Sequence, residues 1–383
     1  MSSTLTDQLV SLATVKYLGY DDETATQIWS KWIVQAPGDP VPESISLPPF
    51  ELRFIDHVVA CSYALRGDLD AYTDDDTKWI EVMDRCGINK DTQRAIMDPV
   101  FRQVRLTETC QFWIRDTVEL RYAALQGVQE ASREREQASP EDSASHATSR
   151  GGIGARSDSE TLQMTSWVSL DTTLSEVATC ATNTRDSITL YKGIEKSRLT
   201  RLFDSNGNLD NIQVLSLRPP TDFSGKVSAY CFAVDRDVAI KYATFAKHRS
   251  DRSSAVLVHA TFKNSTIESL SKDQIQRIYW PSEDWKRLVF FSRNMKRLPS
   301  DLGKFKQASL IIGTASAKPS MGYVNMKCYT EITENMVLKN AAGHDAVQYV
   351  FVGDEGEELL EKADVKVFPI TPEEYSQWHR KAQ

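Results

Sequence analysis

Apolar residues in the first third of the chain recur every three or four positions. Leu9, Leu12, Val15 and Leu18 fall on one helical face. Gly19 stops that run, and Asp21 or Asp22 caps a second helix carrying Ala25, Ile28, Trp29 and Trp32. Prolines between Pro37 and Pro49 break the pattern. It resumes from Phe50 to Leu65 through Phe54, Ile55, Val58, Val59 and Cys61. Trp79 to Cys86 predicts a short helix ended by Gly87. Thr92 to Gln129 predicts a long, mostly helical stretch with Pro99 near its start. Its core positions are Val100, Val104, Phe112, Ile114, Val118 and Leu125. No internal repeat is legible.

From Ala131 to Glu160 the large apolar residues vanish, leaving a Ser-, Gly- and charge-rich stretch. Such a segment buries too little surface to offset its ordering entropy, which predicts a flexible linker. His146 then reads as a solvated loop residue. The second half changes period. β-rich runs occupy Ile188 to Tyr191, Ala229 to Val234, Ala255 to Phe262, Leu288 to Phe291, Ser309 to Gly313, Ala346 to Val352 and Val365 to Ile370. Asp237 to Lys247 reads as helix, with a short helix at Leu359 to Ala363. Strands mixed irregularly with few helices predict an α+β domain, not a doubly wound sheet. The chain therefore divides into a helical domain (1–130), a linker (131–160) and an α+β domain (161–383). Leu190, Phe232, Val258, Ile311, Val347 and Val350 are expected in one shared core.

Composition narrows the class. Of 383 residues, 41% are hydrophobic and 26% charged, so a core can be buried. The formal net charge of -8 disfavours general nucleic-acid binding. No apolar run reaches the roughly 20 residues that cross a bilayer, and the N-terminus lacks a signal-peptide pattern. No membrane partner is expected, and localisation is predicted as cytoplasmic or nuclear. The six cysteines are scattered, with no CxxC and no histidine at ligand spacing, so neither a metal site nor a disulfide framework is predicted.

General catalytic motifs are absent: no P-loop, GxGxxG after a strand, GxSxG or HExxH occurs. Carboxylate clusters such as Asp74, Asp75 and Asp76 read as solvated loops or caps. Tyr17 to Trp29 is similar to a ubiquitin-associated helix–loop–helix, although Leu-Gly-Tyr is also a common connector. Three later segments carry a broader resemblance. They are LYKGI (Leu190 to Ile194), the block Asp222-Phe223-Ser224-Gly225 with SAYCFAVDRDVAIKYA (Ser228 to Ala243), and the pair QASLIIGTAS and DAVQYVFVG (Gln307 to Ser316, Asp345 to Gly353). Together these resemble the divergent, fungal and bacterial branch of ADP-ribosyltransferase-like domains over roughly residues 186 to 370.

That resemblance implies a split β-sheet domain with NAD, as substrate, lying across the opening. The family places an Arg or His on the first strand, a Ser-Thr-Ser or Tyr on the second and usually a Glu on the late strand. The reaction passes through an oxocarbenium-like ribosyl cation, which a preorganised anionic or hydrogen-bonding group stabilises. The matching positions here are Lys192 with Gly193, then Cys231 with Tyr230 one residue earlier, then Gln348 as the catalytic candidate. Each departs from the family. Lysine is a point charge without a planar fork. A one-residue shift turns Tyr230 to the opposite strand face. Gln348 brings no charge. Glu331 is the nearest acidic alternative. Lys192 and Gln348 are expected to face one cleft from neighbouring strands. Two functions follow: ADP-ribosyl transfer to a protein target or NAD hydrolysis, and a catalytically inactive module that binds a protein or nucleotide.

Overall fold

The computed structural model describes residues 8–38, 40–47, 49–137, 186–250 and 254–382. Most of the expected linker, with His146, lies outside these residues. Its first seven positions continue a helix instead.

The N-terminal half is helical. In order it contains α1 (Leu12–Tyr17), α2 (Asp22–Gln35), a hairpin of β1 (Ser44–Leu47) and β2 (Phe50–Arg53), α3 (Phe54–Arg66), α4 (Asp76–Arg85), α5 (Lys90–Met97), α6 (Arg102–Arg105) and α7 (Cys110–Gln137). The long stretch expected from Thr92 onward is thus several helices. Pro99 opens a 3-10 turn capped by Asp98, and the Thr109 hydroxyl accepts from Phe112 N at the start of α7. The proline-rich stretch holds the hairpin, whose β2 takes the first four residues expected as helix.

A repeat exists that the sequence conceals. The α1–α2 and α4–α5 pairs each turn on a left-handed glycine, Gly19 (φ +116) and Gly87 (φ +68). Each glycine is followed two residues later by an N-cap, Asp21 accepting from Thr24 N and Asn89 from Thr92 N. The two turns pair back to back. Asp21 N donates to Gly87 O at 2.8 Å, and Asn89 N to Gly19 O at 2.9 Å. Thr92 packs on Gly19 and Thr24 on Gly87. Leu18 and Tyr20 are buried in this joint, so the Leu-Gly-Tyr turn is a core element and not an exposed ubiquitin-type face.

The C-terminal half is built on a seven-stranded sheet of order β6-β7-β8-β4-β3-β5-β9. The strands are β3 (Ser187–Glu195), β4 (Ala229–Ala233), β5 (Ala255–Lys263), β6 (Ile275–Ile278), β7 (Leu310–Thr314), β8 (Val347–Val352) and β9 (Asp364–Pro369). All neighbours are antiparallel except β6 and β7. Helices α8 (Arg236–Arg249), α9 (Asn264–Glu268), α10 (Glu283–Arg293), α11 (Gly303–Gln307), α12 (Ser320–Val324), α13 (Gly353–Leu360) and α14 (Pro372–Ala382) surround it. Leu288 to Phe291, expected as strand, lies in α10. Ser282 caps that helix through Trp285 N, and Trp285, Leu288, Val289 and Ser292 form its buried face. The short helix expected at Leu359 to Ala363 begins earlier, as α13.

Both sheet faces are covered, so the expected single core is two. Leu190, Phe232 and Val258, with Val347 at their margin, pack on one face beneath α13. Ile311 and Val350 pack on the other, against α10. The two halves of the chain are not separately cored. Phe245 of α8 belongs to the helical core, stacking on Phe101 at 5.0 Å, and Trp378 of α14 stacks on the same ring at 5.1 Å. Among the described residues no helix is long and apolar enough to cross a membrane.

Candidate functional site

The sheet is weakest between β3 and β4. β3 pairs with β5 along its whole length, from Ser187↔Lys263 to Glu195↔Ala255, but with β4 only at Tyr191↔Ala233. Beyond that pair the strands splay. The sequence candidates gather around this seam, but not on one side of it.

Register sorts them. Tyr191 pairs with Ala233, and Ala233 with Gln348, so these three share a face. Strand alternation adds Gly193 and Cys231 to that face and turns Lys192 and Tyr230 to the other. Lys192 and Gln348 therefore do not face one cleft, and their strands are not neighbours, because β4 runs between β3 and β8. Half-buried, Lys192 lies over the Phe232 ring at 5.8 Å, and its Nζ donates to the Cys231 carbonyl at 3.4 Å. It thus occupies the seam that the missing ladder bonds leave. Burial lowers its pKa. Tyr230 packs in the core beneath α13, and its hydroxyl donates to Glu357 of that helix. Gly193 has no room for a ligand. α8 rests directly on it, and a Cβ there would sit 1.8 Å from the Ala239 carbonyl oxygen. The Cys231 thiol is pushed up to about 11 by burial, against the opposing charge of Lys192.

On the Gln348 face stands a polar cluster centred on Asp222. The Gln348 amide donates to Asp222 Oδ2 at 2.6 Å. Ser316 N donates to the same oxygen at 2.8 Å, while Ser316 Oγ (2.5 Å) and Arg293 Nε (2.8 Å) donate to Oδ1. Burial alone would raise the Asp222 pKa. The Arg293 guanidinium and the Ser316 donors outweigh it and hold the carboxylate below its usual range. Asp222 is thus ionised and saturated with donors, a poor general base. Gln348 is its ligand.

The helical half reaches toward this cluster. Glu108, in the turn before α7, lies within electrostatic reach of Arg293 and Asp222. Burial pushes its carboxyl up to about 7, with Arg293 opposing and the Asp222 and Asp116 charges assisting. A second ionic joint sits nearby. Asp116 of α7 accepts from Arg198, in the turn after β3, and from Arg249 of α8 at 2.6 Å. Arg249 also lies 4.6 Å over the Trp113 ring and 4.5 Å over Phe245.

Two of these residues escaped sequence reading. Arg293 lies two residues past a run that reads as strand, and Glu108 sits in a polar turn with no period. Asp222 and Ser316 were visible inside their quoted blocks, yet nothing in the sequence marked Asp222 as the hub. Glu331 is engaged elsewhere, accepting from Lys327 N and Cys328 N. Among the described residues no group of His, Cys, Asp and Glu has the arrangement of a metal site. No family model matches the chain, and neither a curated protein nor a solved structure does.

Proposed function

We propose that the C-terminal half is an ADP-ribosyltransferase-like module that does not turn over NAD, and that the chain acts by binding a protein partner. One observation carries this reading. The amide that should meet the nicotinamide ribose, that of Gln348, is instead bonded to Asp222, which Arg293 and Ser316 saturate. The splayed β3–β4 seam supports the fold resemblance. The closure of α8 over Gly193 and the capture of Lys192 by a backbone carbonyl argue against a nucleotide lying there.

A second reading, ADP-ribosyl transfer to a protein or NAD hydrolysis, has one observation in its favour. The Glu108 carboxyl, near pKa 7 beside Arg293, could supply the charge that Gln348 lacks. Calorimetric titration of NAD separates the two. The proposal expects no saturable heat with the wild type or with Gln348→Glu, the change that restores the commoner family carboxylate. Saturable NAD binding that Glu108→Gln abolishes would establish the second reading instead.

A further inference from the structure

The joint between the paired glycine turns and the helices around it borders a small, partly open cavity of about 10 Å³. Four elements supply its polar lining. Tyr20 comes from the first turn, Ser62, Tyr63 and Arg66 from α3, Cys86 from the end of α4, and Gln111 and Arg115 from α7. Two of these bring a solvent-sealed polar atom with no hydrogen-bond partner, Arg66 Nε and Gln111 Nε2. Their other groups are engaged. Arg66 Nη1 donates to Leu69 O, and Gln111 N to Asp70 Oδ1 at 3.1 Å. The Tyr20 hydroxyl has a side-chain hydrogen bond with Ser62.

Buried polar atoms left unpaired are rare, so two on residues lining one void call for a partner. A void of roughly 10–15 Å³ holds one water, provided two to four polar groups converge on it. We infer that this cavity is the site of a single structural water, which accepts from Arg66 Nε and Gln111 Nε2 and bonds the Tyr20 hydroxyl. The donor set fixes the class of ligand. Two N–H groups require an acceptor, and the phenol can give or take a proton bond. Water satisfies all three at this size. A halide accepts but cannot donate. The water would tie the α1–α2 turn to α3 and α7, linking the repeated helix pairs to the helices that flank them.

Water magnetic relaxation dispersion on the full chain counts long-residence internal waters. Gln111→Leu and Tyr20→Phe each remove one anchor while keeping bulk in the site. Each is expected to lose one long-lived water relative to the wild type, with unchanged helical circular dichroism. If Gln111→Leu fails to fold, Tyr20→Phe reads out the same loss while retaining the buried ring. Equal counts in the wild type and the folded variants would overturn the assignment. So would an anomalous bromide peak in the cavity of crystals soaked in sodium bromide, which would make the occupant a halide.

Discussion

At the scale of single residues, one hydrogen bond decides how the seam is read. A glutamine at position 348 could bind a ribose hydroxyl, and its sequence position allowed that. What the sequence could not display was Asp222, 126 positions earlier, placed 2.6 Å from its amide. The same holds for Glu108, whose polar turn carries no periodic signal. Its titration gives a test. Because burial lifts its folded pKa to about 7, the unfolded chain ionises first as pH rises. The Glu108 contribution to folding stability is therefore fullest below the ordinary glutamate range near pH 4.5 and falls as pH climbs toward 7. Glu108→Gln removes that penalty. It should stabilise the chain by on the order of 2 kcal/mol at pH 8 and by almost nothing at pH 4. Urea denaturation at the two pH values measures the difference. An equal effect at both would show that Glu108 ionises normally.

At the scale of elements, the strands of the second half were legible because β-branched and aromatic runs between turn residues have few other homes. The run at Leu288 to Phe291 misled for the same reason. The Ser282 cap and two acidic residues in the first turn outweighed its β-propensity. The paired helix–turn–helix units were hidden because their likeness lies in backbone conformation and caps, with few identical residues. Their glycines differ from others in what surrounds them. A Cβ on Gly87 (φ +68) would meet Thr24 Oγ1 at 1.9 Å, whereas one on Gly207 (φ +81) would meet nothing within 4 Å. Gly207→Ala should therefore lose only the left-handed backbone preference, about 1 kcal/mol. Gly87→Ala adds overpacking of about 1–3 kcal/mol to that. Denaturation midpoints should fall in that order, and equal losses would show that the turns do not interlock.

At the scale of the whole molecule, composition and periodicity foretold a helical half and an α+β half but not their union. Aromatic stacking of Phe101 with Phe245 and Trp378 joins them, with the Asp116 joint alongside. Asp116 is held below the usual carboxylate range because Arg198 and Arg249 outweigh its burial. Its contribution is present above about pH 4 and lost as pH falls through the lower folded value. Asp116→Asn would leave Arg249 buried without its counter-charge. It should cost about 3–5 kcal/mol at neutral pH and destabilise both halves in one transition. Loss of the helical signal at one denaturant concentration and of the sheet signal at another would show that the joint does not couple them.

The joined halves bear on the proposed function because α8 closes over Gly193 at the seam and Glu108 of the helical half lies within electrostatic reach of the Asp222 cluster. The most direct measurement is release of free nicotinamide from NAD incubated with the purified full-length chain, followed by chromatography. The account predicts no release above the protein-free control, for the wild type and for Gln348→Glu alike. Protein-dependent nicotinamide that disappears in Gln348→Ala would contradict it, and would make the amide bonded to Asp222 a working part of an enzyme.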